Sequence, residues 1–355
     1  MSAFEQMSAL GHEQVVFTRN EETGLRAIIG IHSTALGPSL GGCRLYPYAS
    51  EEEALRDVLR LSRGMTYKAA IAGLDLGGGK AVIIGDPGIK SEGLFRAFGR
   101  AVESLGGRYI TAEDMNTNVD DMNNIRRETR WVTGTGKATG GSGDPSPVTA
   151  WGVFHGIRAT LEVVFGSPDV RGKKIAVQGC GHVGYYLAGY LAEAGAQLFY
   201  TDINGGKVRR CVEEFGGEAV DGEAFYGLDV DVLAPCAIGG IVNHATIPHI
   251  KAPIIAGGAN NVLDDEERDG AALAERGVTY APDYVINAGG LINVYAELKS
   301  LPRQKAMDDA AAIFSTVKSI INAAKSEGTT TIAAANKLAE ERIRIVSAVQ
   351  RMHIP

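Results

Sequence analysis

A strand, a glycine-rich turn and a helix follow one another in residues 173–194, KKIAVQGCGHVGYYLAGYLAEA. The apolar run before the turn is typical of a buried strand in a parallel sheet, and the segment after it is typical of a helix. The turn has the GxGxxG spacing that lets backbone N–H groups approach a pyrophosphate closely. The glycine pattern alone is weak evidence, but in this context it predicts a dinucleotide-binding turn over Gly179, Cys180, Gly181, His182, Val183 and Gly184.

An acidic residue ends the next predicted strand, LFYTD. Asp202 lies at about the spacing at which a carboxylate binds the ribose hydroxyls of the adenosine, which favours NAD over NADP. The alternative is an ordinary aspartate in a strand-end turn. Lys207, Arg209 and Arg210 follow closely and would weaken discrimination against a 2′-phosphate, so NADP stays open as a minor possibility.

Strands and helices continue to alternate after this turn, through QLFYTDI, DVDVLAPC, PIIAGGAN and VTYAPDYVIN. This pattern predicts a parallel, doubly wound sheet, that is, a Rossmann dinucleotide-binding domain. Earlier in the chain, VVFTRN and LRAIIGIHST indicate strands, and EEEALRDVLRLSRGMTYKAA indicates a helix with Ser50 as N-cap and Glu53 at the capping-box position.

The expected fold is therefore α/β with two domains separated by a cleft. A chain of 355 residues exceeds the usual size of a single core, which supports this division. We expect a substrate-binding and catalytic α/β domain over residues 1–135 and the NAD-binding domain over 136–329. The C-terminal helix, about 330–355, is expected to pack back on the first domain, and the glycine- and serine-rich stretch 133–147 to be a linker or hinge.

Charge and cysteine usage exclude several classes of function. The net charge is −7 and the basic residues are scattered, so nucleic acid and anionic membranes are poor partners. The opening residues contain no apolar signal core and no stretch is long enough to span a bilayer, so we expect a cytoplasmic protein. The four cysteines have no metal-site spacing, and we predict no metal and reduced, buried thiols.

Two lysines flank the glycine-rich segment AAIAGLDLGGG. Most lysines are solvated surface charges, but Lys80 directly follows three glycines at an expected strand start, where the backbone would lie close to a ligand. If Lys68 and Lys80 converge on a cleft, each disfavours the charge of the other. One can then hold an α-carboxylate while the other acts as general base in amino-acid oxidation, and Asp114 of TAEDMNTN is the candidate for moving protons at nitrogen.

Two other classes of protein compete with this interpretation. A non-catalytic NAD-binding sensor would keep the glycine turn and Asp202, but it would not need Lys68, Lys80 and Asp114 together. A hydroxy-acid dehydrogenase generally uses a histidine and arginine pair at the substrate, and the sequence offers no such pair.

Eight segments, in order from about residue 30 to 300, carry a resemblance to a known family: LGPSLGGCR, MTYKAA, LGGGK, TAEDMNT, SPVTAWGV, APCAIGG, AGGANN and NAGGLINV. The chain resembles the glutamate/leucine/phenylalanine/valine dehydrogenases, and most of all the leucine-specific members. The resemblance implies NAD-dependent, reversible deamination of an L-amino acid to a 2-oxo acid and ammonium. It also implies a homo-oligomer, either hexamer, octamer or dimer.

The same resemblance implies roles for individual residues. Lys68 would bind the substrate carboxylate, Lys80 would be the catalytic base, and Asp114 would handle the amino group. Asp120 and Asp121 would cap the following helix. The remaining substrate-binding residues would be Leu40, Gly41, Gly42, Met65, Ala112, Asn260, Leu291 and Val294. The cofactor site would include Thr149, Asp202, the six residues of the glycine turn, Ala234, Cys236, Ala237, Ala259 and Asn260.

The substrate side chain is expected to be apolar. In similar enzymes that act on glutamate, a lysine and a serine bind the second carboxylate, and the matching positions here are Leu40 and Val294. A buried carboxylate without partners costs several kcal/mol, so glutamate is excluded. Leucine, isoleucine and valine fit this lining best, and phenylalanine or another aromatic amino acid is the alternative.

Overall fold

A computed structural model describes residues 2–136, 141 and 143–350, so part of the expected linker lies outside the described residues. The chain divides into two units. Unit 1 contains the chain up to Gly143, Glu297–Ser300 and the residues from Ala339 on, and unit 2 contains Asp144–Ala296 and Leu301–Leu338. The boundary between the two units therefore lies after residue 143, later than the expected residue 135. The C-terminal part of the chain rejoins unit 1 at Ala339, later than the expected residue 330.

Unit 1 is built on a mixed sheet of five strands. In chain order they are β1 (Gln14–Asn20), β2 (Leu25–Ser33), β3 (Ser39–Tyr46), β4 (Gly77–Ile84) and β5 (Tyr109–Glu113). Their spatial order is β1-β2-β4-β3-β5. β1 and β2 form an antiparallel hairpin and β2 runs antiparallel to β4, whereas β3 is parallel to both β4 and β5.

Helices cover both faces of this sheet. They are α1 (Ala3–Leu10), α2 (Glu51–Ile71), α3 (Glu92–Glu103) and α4 (Val119–Arg126). Alternate residues of β2 point to opposite faces, so Ile28 packs under α2 while Ile29 packs with Phe95 and Phe98 of α3. The two apolar clusters explain why β2 reads as a continuous apolar run, because both of its faces are buried.

Capping fixes where the long helix α2 begins. The Ser50 hydroxyl accepts a hydrogen bond from the Glu53 N–H at 3.1 Å, as expected for an N-cap. The Glu53 carboxylate accepts from the Ala49 N–H at 2.8 Å, one residue before the partner expected in a capping box. The predicted helix and its N-cap are confirmed.

The glycine run 77–79 lies inside β4, and Lys80 is the fourth residue of that strand. The expectation of a strand start at Lys80 was therefore wrong. Each glycine is packed against the protein's own chain: a Cβ at Gly77 would overlap the Ser33 carbonyl, one at Gly78 would overlap the Thr66 backbone, and one at Gly79 would lie 2.6 Å from the Tyr109 ring. The glycines bring β4 close to its neighbours rather than to an open turn.

Unit 2 is built on a parallel sheet. Its strands are β6 (Lys174–Gln178), β7 (Gln197–Thr201), β8 (Glu218–Ala219), β9 (Val232–Pro235), β10 (Ile254–Ile255) and β11 (Thr279–Tyr280), in the spatial order β11-β10-β9-β6-β7-β8. Every pairing between them is parallel. Together with the α/β architecture of unit 1, this confirms the predicted fold class and its Rossmann-like second part.

The helices of unit 2 are α5 (Ser146–Phe165), α6 (His182–Glu193), α7 (Gly205–Phe215), α8 (Glu266–Glu275), α9 (Asp283–Ile286), α10 (Gly289–Leu298), α11 (Arg303–Ala311) and α12 (Ile313–Glu327). The segment VTYAPDYVIN is less of a strand than its composition indicates. Only Thr279–Tyr280 pair in the sheet, and after Pro282 the chain turns into the short helix α9. Proline at a helix start cannot extend a strand ladder, which explains the change.

The last helix, α13 (Thr331–Gln350), begins in unit 2 and ends in unit 1. In unit 1 the Arg342 guanidinium donates to the Leu74 carbonyl at 2.7 Å and contacts the Asp75 carboxylate at 2.9 Å. Ile343 and Val346 pack on Leu36 and Ala70. Within the described part of the chain, no helix is long and apolar enough to cross a bilayer.

Candidate active site

Lys80 and Asp114 form an ion pair inside unit 1. Lys80 Nζ donates directly to Asp114 Oδ2, and the two side chains are only 7% and 19% exposed. Lys80 lies on β4 and Asp114 directly follows β5, and strand β3 lies between these two strands in the sheet. Lys80 is therefore in contact with a carboxylate, and a proton can pass directly between Lys80 Nζ and Asp114 Oδ2.

A glycine pair on β3 makes this contact possible. A Cβ at Gly42 would lie 2.7 Å from the Asp114 Cβ, and a Cβ at Gly41 would overlap the Gly79 carbonyl. The Tyr109 hydroxyl donates to the Gly41 carbonyl at 2.6 Å and fixes that stretch of backbone. Side chains at these positions would push β4 and Asp114 away, so the glycines are required by packing within unit 1.

The environment of Asp114 keeps its carboxyl group ionised. Burial acts to raise the pKa, but the charge and hydrogen bond of Lys80, the charge of Arg44 and the N–H of Met115 outweigh it. The pKa of Asp114 is therefore held below its usual range. Asp114 is a proton acceptor over the whole neutral pH range.

The other candidate substrate residues of unit 1 surround this pair on neighbouring elements. Leu40 on β3 is buried at 2% exposure and pairs in register with Ile110, while Gly42 pairs with Ala112 of β5. Met65 and Lys68 lie on the last turns of α2, half-buried, where that helix packs against β4 at Gly78. Lys68 and Lys80 thus belong to directly packed elements.

Asp121 takes a structural role, as expected. Its carboxylate accepts from the Asn118 N–H at 2.9 Å, and Asn118 is the N-cap of α4. The two residues form a capping box, and Lys90 pairs with the same carboxylate at 2.5 Å.

In unit 2 the glycine turn connects β6 to α6. Gly179 has φ +92°, and a Cβ at this position would lie only 2.7 Å from the Ala237 Cβ. Gly184 lies against the Gly179 carbonyl, which closes the turn. A Cβ at Gly181 would meet nothing within 4 Å, and among the described residues no side chain caps the N–H groups at the start of α6. This open, uncapped helix N-terminus suits an anionic pyrophosphate.

Asp202 and His182 border this turn. The Asp202 carboxylate accepts from the Cys180 N–H at 2.7 Å and from the Asn204 N–H at 2.8 Å. It therefore shapes the turn as well as ending β7, and each oxygen retains capacity to accept from a ribose hydroxyl. The His182 side chain, at the first position of α6, is 81% exposed and contacts Asp144 at 3.2 Å, so it faces solvent.

The candidate cofactor residues beyond the turn lie at the carboxyl ends of β9 and β10. Ala234 is buried in β9, Cys236 is half-buried after it, and Ala237 is exposed beside Gly179. The Gly258 N–H donates to Cys236 Sγ at 3.4 Å, and Ala259 is buried next to it. In a parallel sheet these ends meet at one edge, where such folds bind their ligands.

Asn260 is oriented by a residue that the sequence did not single out. Asn287 Nδ2 donates to the Asn260 side-chain oxygen at 2.7 Å and to the Ala259 carbonyl at 3.2 Å. This hydrogen bond to its oxygen fixes the orientation of the Asn260 amide.

Thr149 lies close to the first turn of α10 in unit 2. A Cβ at Gly290 would lie 3.0 Å from Thr149 Oγ1, and one at Gly289 would overlap the Val148 carbonyl. Thr149 Oγ1 donates to the Pro145 carbonyl at 3.0 Å. The first two turns of α10 carry Leu291, which is buried, and Val294, which is half-buried.

Comparisons with known proteins match nearly the whole chain. The family described as "Glu/Leu/Phe/Val dehydrogenase, dimerisation domain" matches residues 12–131, and that described as "Glutamate/Leucine/Phenylalanine/Valine dehydrogenase" matches 140–208 and 201–350. The chain belongs to this dehydrogenase family. The resemblance inferred from the eight motifs is confirmed.

Individual relatives differ in the amino acid that their names specify. Leucine dehydrogenase of Geobacillus stearothermophilus is 53% identical over 97% of this chain and 94% of its own. Phenylalanine dehydrogenase of Bacillus thermotolerans is 50% identical over 96% of this chain and 90% of its own. The crystal structure of L-tryptophan dehydrogenase from Nostoc punctiforme superposes with a TM-score of 0.88 at 47% identity, covering 97% of this chain and 99% of that chain.

Sequence reasoning missed two residues that the structure places at the candidate site of this dehydrogenase. Arg44 contacts Asp114 at 3.0 Å, and Asn287 contacts Asn260 at 2.7 Å. Both lie in quoted motifs, LGGCR and NAGGLINV, but one-dimensional spacing does not show which side chain lies next to which. A charged residue directly after a buried, glycine-rich strand segment was the one available signal for Arg44.

Proposed function

We propose that this dehydrogenase uses NAD to convert an apolar, branched-chain L-amino acid, with leucine the preferred type, reversibly into its 2-oxo acid and ammonium. The observation that carries the proposal is the Lys80–Asp114 pair, a buried ammonium in contact with a buried carboxylate. Membership of the family and the 53% identity to a leucine dehydrogenase support the same reaction.

The proposed substrate contacts follow from the chemistry of an amino acid. Lys68 binds the α-carboxylate by charge, and the backbone at Gly41 and Gly42 lies along the substrate. The carboxylate of Asp114 is suited to the substrate ammonium group, and Asn260 is the proposed contact near the amino group and the nicotinamide. The side chain is lined by four apolar residues and a methionine: Leu40, Ala112, Leu291, Val294 and Met65. Each methylene that they cover contributes about 0.8 kcal/mol.

Lys80 and Asp114 divide the proton transfers between them. Asp114 removes and returns protons at the substrate nitrogen, because its depressed pKa keeps it ionised as an acceptor. After oxidation at Cα the substrate is an imine. Lys80 acts as base in its neutral form, after passing its own proton to Asp114, and takes a proton from the water that adds to the imine. The carbinolamine then collapses to the oxo acid, and ammonium leaves. The contact between Lys80 and Asp114 lets each restore the protonation state of the other.

The proposed cofactor is NAD, which when bound supplies the hydride acceptor. The open turn at Gly181 and the uncapped start of α6 would hold its pyrophosphate, and Asp202 would accept from the ribose hydroxyls and repel a 2′-phosphate. The proposed contacts are completed by Thr149 and by residues at the carboxyl ends of β9 and β10, namely Ala234, Cys236, Ala237 and Ala259. Arg210 pairs with Glu214 at 2.8 Å along α7, which engages one of the basic residues that would otherwise favour NADP.

We propose that the chain forms a homo-oligomer through unit 1. β1 is an edge strand of seven residues, and Phe17 on it is 48% exposed. A surface concavity of about 810 Å³ runs along this hairpin and is lined by Phe17, Leu25, Ile28 and Ile84 together with polar residues. It contains none of the candidate catalytic residues. An open edge with an exposed aromatic residue is a pairing surface, and the family name assigned to residues 12–131 includes dimerisation.

Two assays test the proposed reaction. The reductive assay, with 4-methyl-2-oxopentanoate and NADH, should consume NADH only when ammonium is present. Consumption without ammonium would identify a hydroxy-acid dehydrogenase, and no turnover in either direction would favour an NAD-binding sensor. Light scattering on the purified chain measures the oligomeric state.

A substrate panel tests the specificity. We expect kcat/KM with NAD to be highest for leucine, isoleucine and valine, and lowest for glutamate. A maximum for phenylalanine or tryptophan would instead place the chain with the aromatic-specific relatives, which are nearly as similar in sequence. Repeating the panel with NADP measures the cofactor preference.

A further inference from the structure

Asp114 has two cationic partners, one on each carboxylate oxygen. Lys80 contacts Oδ2, and Arg44 Nε donates to Oδ1 at 3.0 Å. The Met115 N–H also donates to Oδ1, at 2.8 Å. The carboxylate is therefore held from both sides, with Arg44 opposite to the residue proposed as the base.

Arg44 is itself anchored by a second carboxylate. Its Nη1 donates to Asp57 Oδ2 at 2.9 Å, and the Tyr48 hydroxyl donates to the same oxygen at 2.6 Å. Asp57 Oδ1 contacts Arg60 at 3.1 Å, and Arg60 is 60% exposed. Arg44, Asp57 and Asp114 are 20%, 15% and 19% exposed, so the chain from Asp114 to Asp57 lies largely away from water.

The guanidinium suits this double contact. It is planar and presents donors in several directions, so it can bind Asp114 through Nε and Asp57 through Nη1 at once. Lys80, Asp114, Arg44 and Asp57 carry two positive and two negative charges, which makes their joint burial tolerable. Burial opposes the charge of Arg44, but the two carboxylates outweigh it and raise its pKa, so the residue stays charged.

We propose that Arg44 is a positioning residue for the reaction: through Asp57 and Tyr48 it fixes the Asp114 carboxylate in one orientation beside Lys80. This inference rests on the function proposed above. Without Arg44, Oδ1 would keep only the Met115 N–H as a partner, and the orientation of the Asp114 carboxylate would be less firmly fixed. Displacement of a proton-transfer group by about 1 Å lowers the reaction rate on the order of 10²-fold.

The other titratable groups around Asp114 do not replace Arg44. On β3 burial raises the pKa of the Cys43 thiol well above its usual range, and on β5 burial does the same for the Tyr109 phenol. Both therefore remain neutral. On α2 the facing group is Asp57, a carboxylate. Lys80 and Arg44 are thus the two side-chain cations that the described structure places on Asp114.

The test compares Arg44→Met with Arg60→Met, because both variants remove a cation from Asp57 but only the first removes one from Asp114. We expect Arg44→Met to lower kcat for leucine deamination on the order of 10²-fold with little change in KM for NAD. The acidic limb of the kcat profile should move to higher pH by about one unit, since Asp114 loses a positive neighbour. Arg60→Met should retain both the rate and the profile.

Conservative variants keep the test informative if Arg44→Met folds poorly. Arg44→Lys should partly restore kcat and the pH profile, because an ammonium can reach one carboxylate but not both. Asp57→Asn should lower kcat by a smaller factor than Arg44→Met, because Arg44 loses its anchor but keeps its contact with Asp114. Melting temperatures accompany each measurement.

Two outcomes would overturn the inference. One is an active wild type whose kcat is unchanged in Arg44→Met, or in both Arg44→Lys and Asp57→Asn if Arg44→Met does not fold. The other is an equal loss of rate in Arg44→Met and Arg60→Met, which would indicate a general effect of removing a charge. A wild type that does not oxidise leucine or any related amino acid would overturn the proposed function instead.

Discussion

At the scale of single residues, the sequence identified Lys80 and Asp114 but not how they meet. Their types and motifs indicated a base and a proton carrier, and the structure joins them as an ion pair. The contact depends on Gly42, which lies on the intervening strand and would push Asp114 away if it carried a Cβ. This strand order is not written in any local pattern, so the role of Gly42 could not be deduced.

Replacing Lys80 should remove the chemistry and leave cofactor binding intact. Lys80→Ala is expected to lower kcat by about 10²- to 10⁴-fold, the usual contribution of a general base. NADH affinity, measured by fluorescence titration, should stay within error of the wild type because the glycine turn belongs to unit 2. Lys90→Ala is the matched control, since Lys90 also pairs with an aspartate of unit 1. Near wild-type kcat in Lys80→Ala would remove it from the mechanism.

Asp202 should determine the choice between NAD and NADP. Asp202→Ser removes a charge-assisted acceptor worth about 1.5–3 kcal/mol and the repulsion of a 2′-phosphate. We expect the ratio of kcat/KM for NAD over NADP to fall about 10- to 100-fold. Because Asp202 also accepts from the Cys180 and Asn204 N–H groups, affinity for both cofactors should decrease. Asp202→Asn keeps an acceptor without the charge, and an unchanged ratio in both variants would assign selection to another residue.

At the scale of elements, the local sequence pattern determines which segments form strands and helices. It does not determine which of these elements lie next to each other. The periodicity of residues 51–70 and the N-cap at Ser50 suffice to predict α2. The strand order β1-β2-β4-β3-β5 depends on long-range pairing. The predicted start of β4 at Lys80 was wrong because glycines such as those at 77–79 are usually found in turns. In β4 they allow α2 and the neighbouring strands to approach closely.

A pair of glycine substitutions tests this explanation. Gly78→Ala should destabilise unit 1 by about 1–3 kcal/mol or more, because its Cβ would overlap the Thr66 backbone, which cannot move without displacing α2. Gly64→Ala on α2 is the matched control: nothing lies within 4 Å of its Cβ, so the helix should gain about 0.5–1 kcal/mol. Urea unfolding measures both. Equal stability of the two variants would contradict the packing role of Gly78.

At the scale of the whole molecule, the chain length and the alternation of strands and helices indicated an α/β chain of two units, but not where the chain passes between them. Glu297–Ser300 belong to unit 1 although the helix that contains Glu297 begins in unit 2. There Glu297 accepts from the Thr133 hydroxyl at 2.7 Å. A four-residue excursion of this kind has no signature in periodicity, because the helix pattern simply continues through it.

Two histidines of unit 1 connect its stability to pH. His32 contacts the Thr66 hydroxyl at 2.8 Å and the Leu10 carbonyl at 3.0 Å, and its ring lies 4.8 Å from that of His12. Burial, together with the charge of His12 against it, lowers the pKa of His32 to about 4, and burial lowers the pKa of His12 to about 4. The unfolded chain binds protons from about pH 6.5 downward, whereas the folded unit does not until about pH 4.

Stability should therefore fall as the pH decreases between these two values. At pH 5, His32 alone should lower the free energy of unfolding by about 2 kcal/mol relative to pH 7, and His32→Gln should show a decrease smaller by that amount. Each unit contains one of the two tryptophans, so a Trp151→Phe background lets Trp131 report on unit 1 in urea titrations. His244→Gln, at an exposed position, is the matched control. If His32→Gln kept the full wild-type dependence on pH, proton binding by this buried histidine would not be the cause of acid destabilisation, and the loss would have to come from another histidine such as His12, whose pKa is also lowered to about 4.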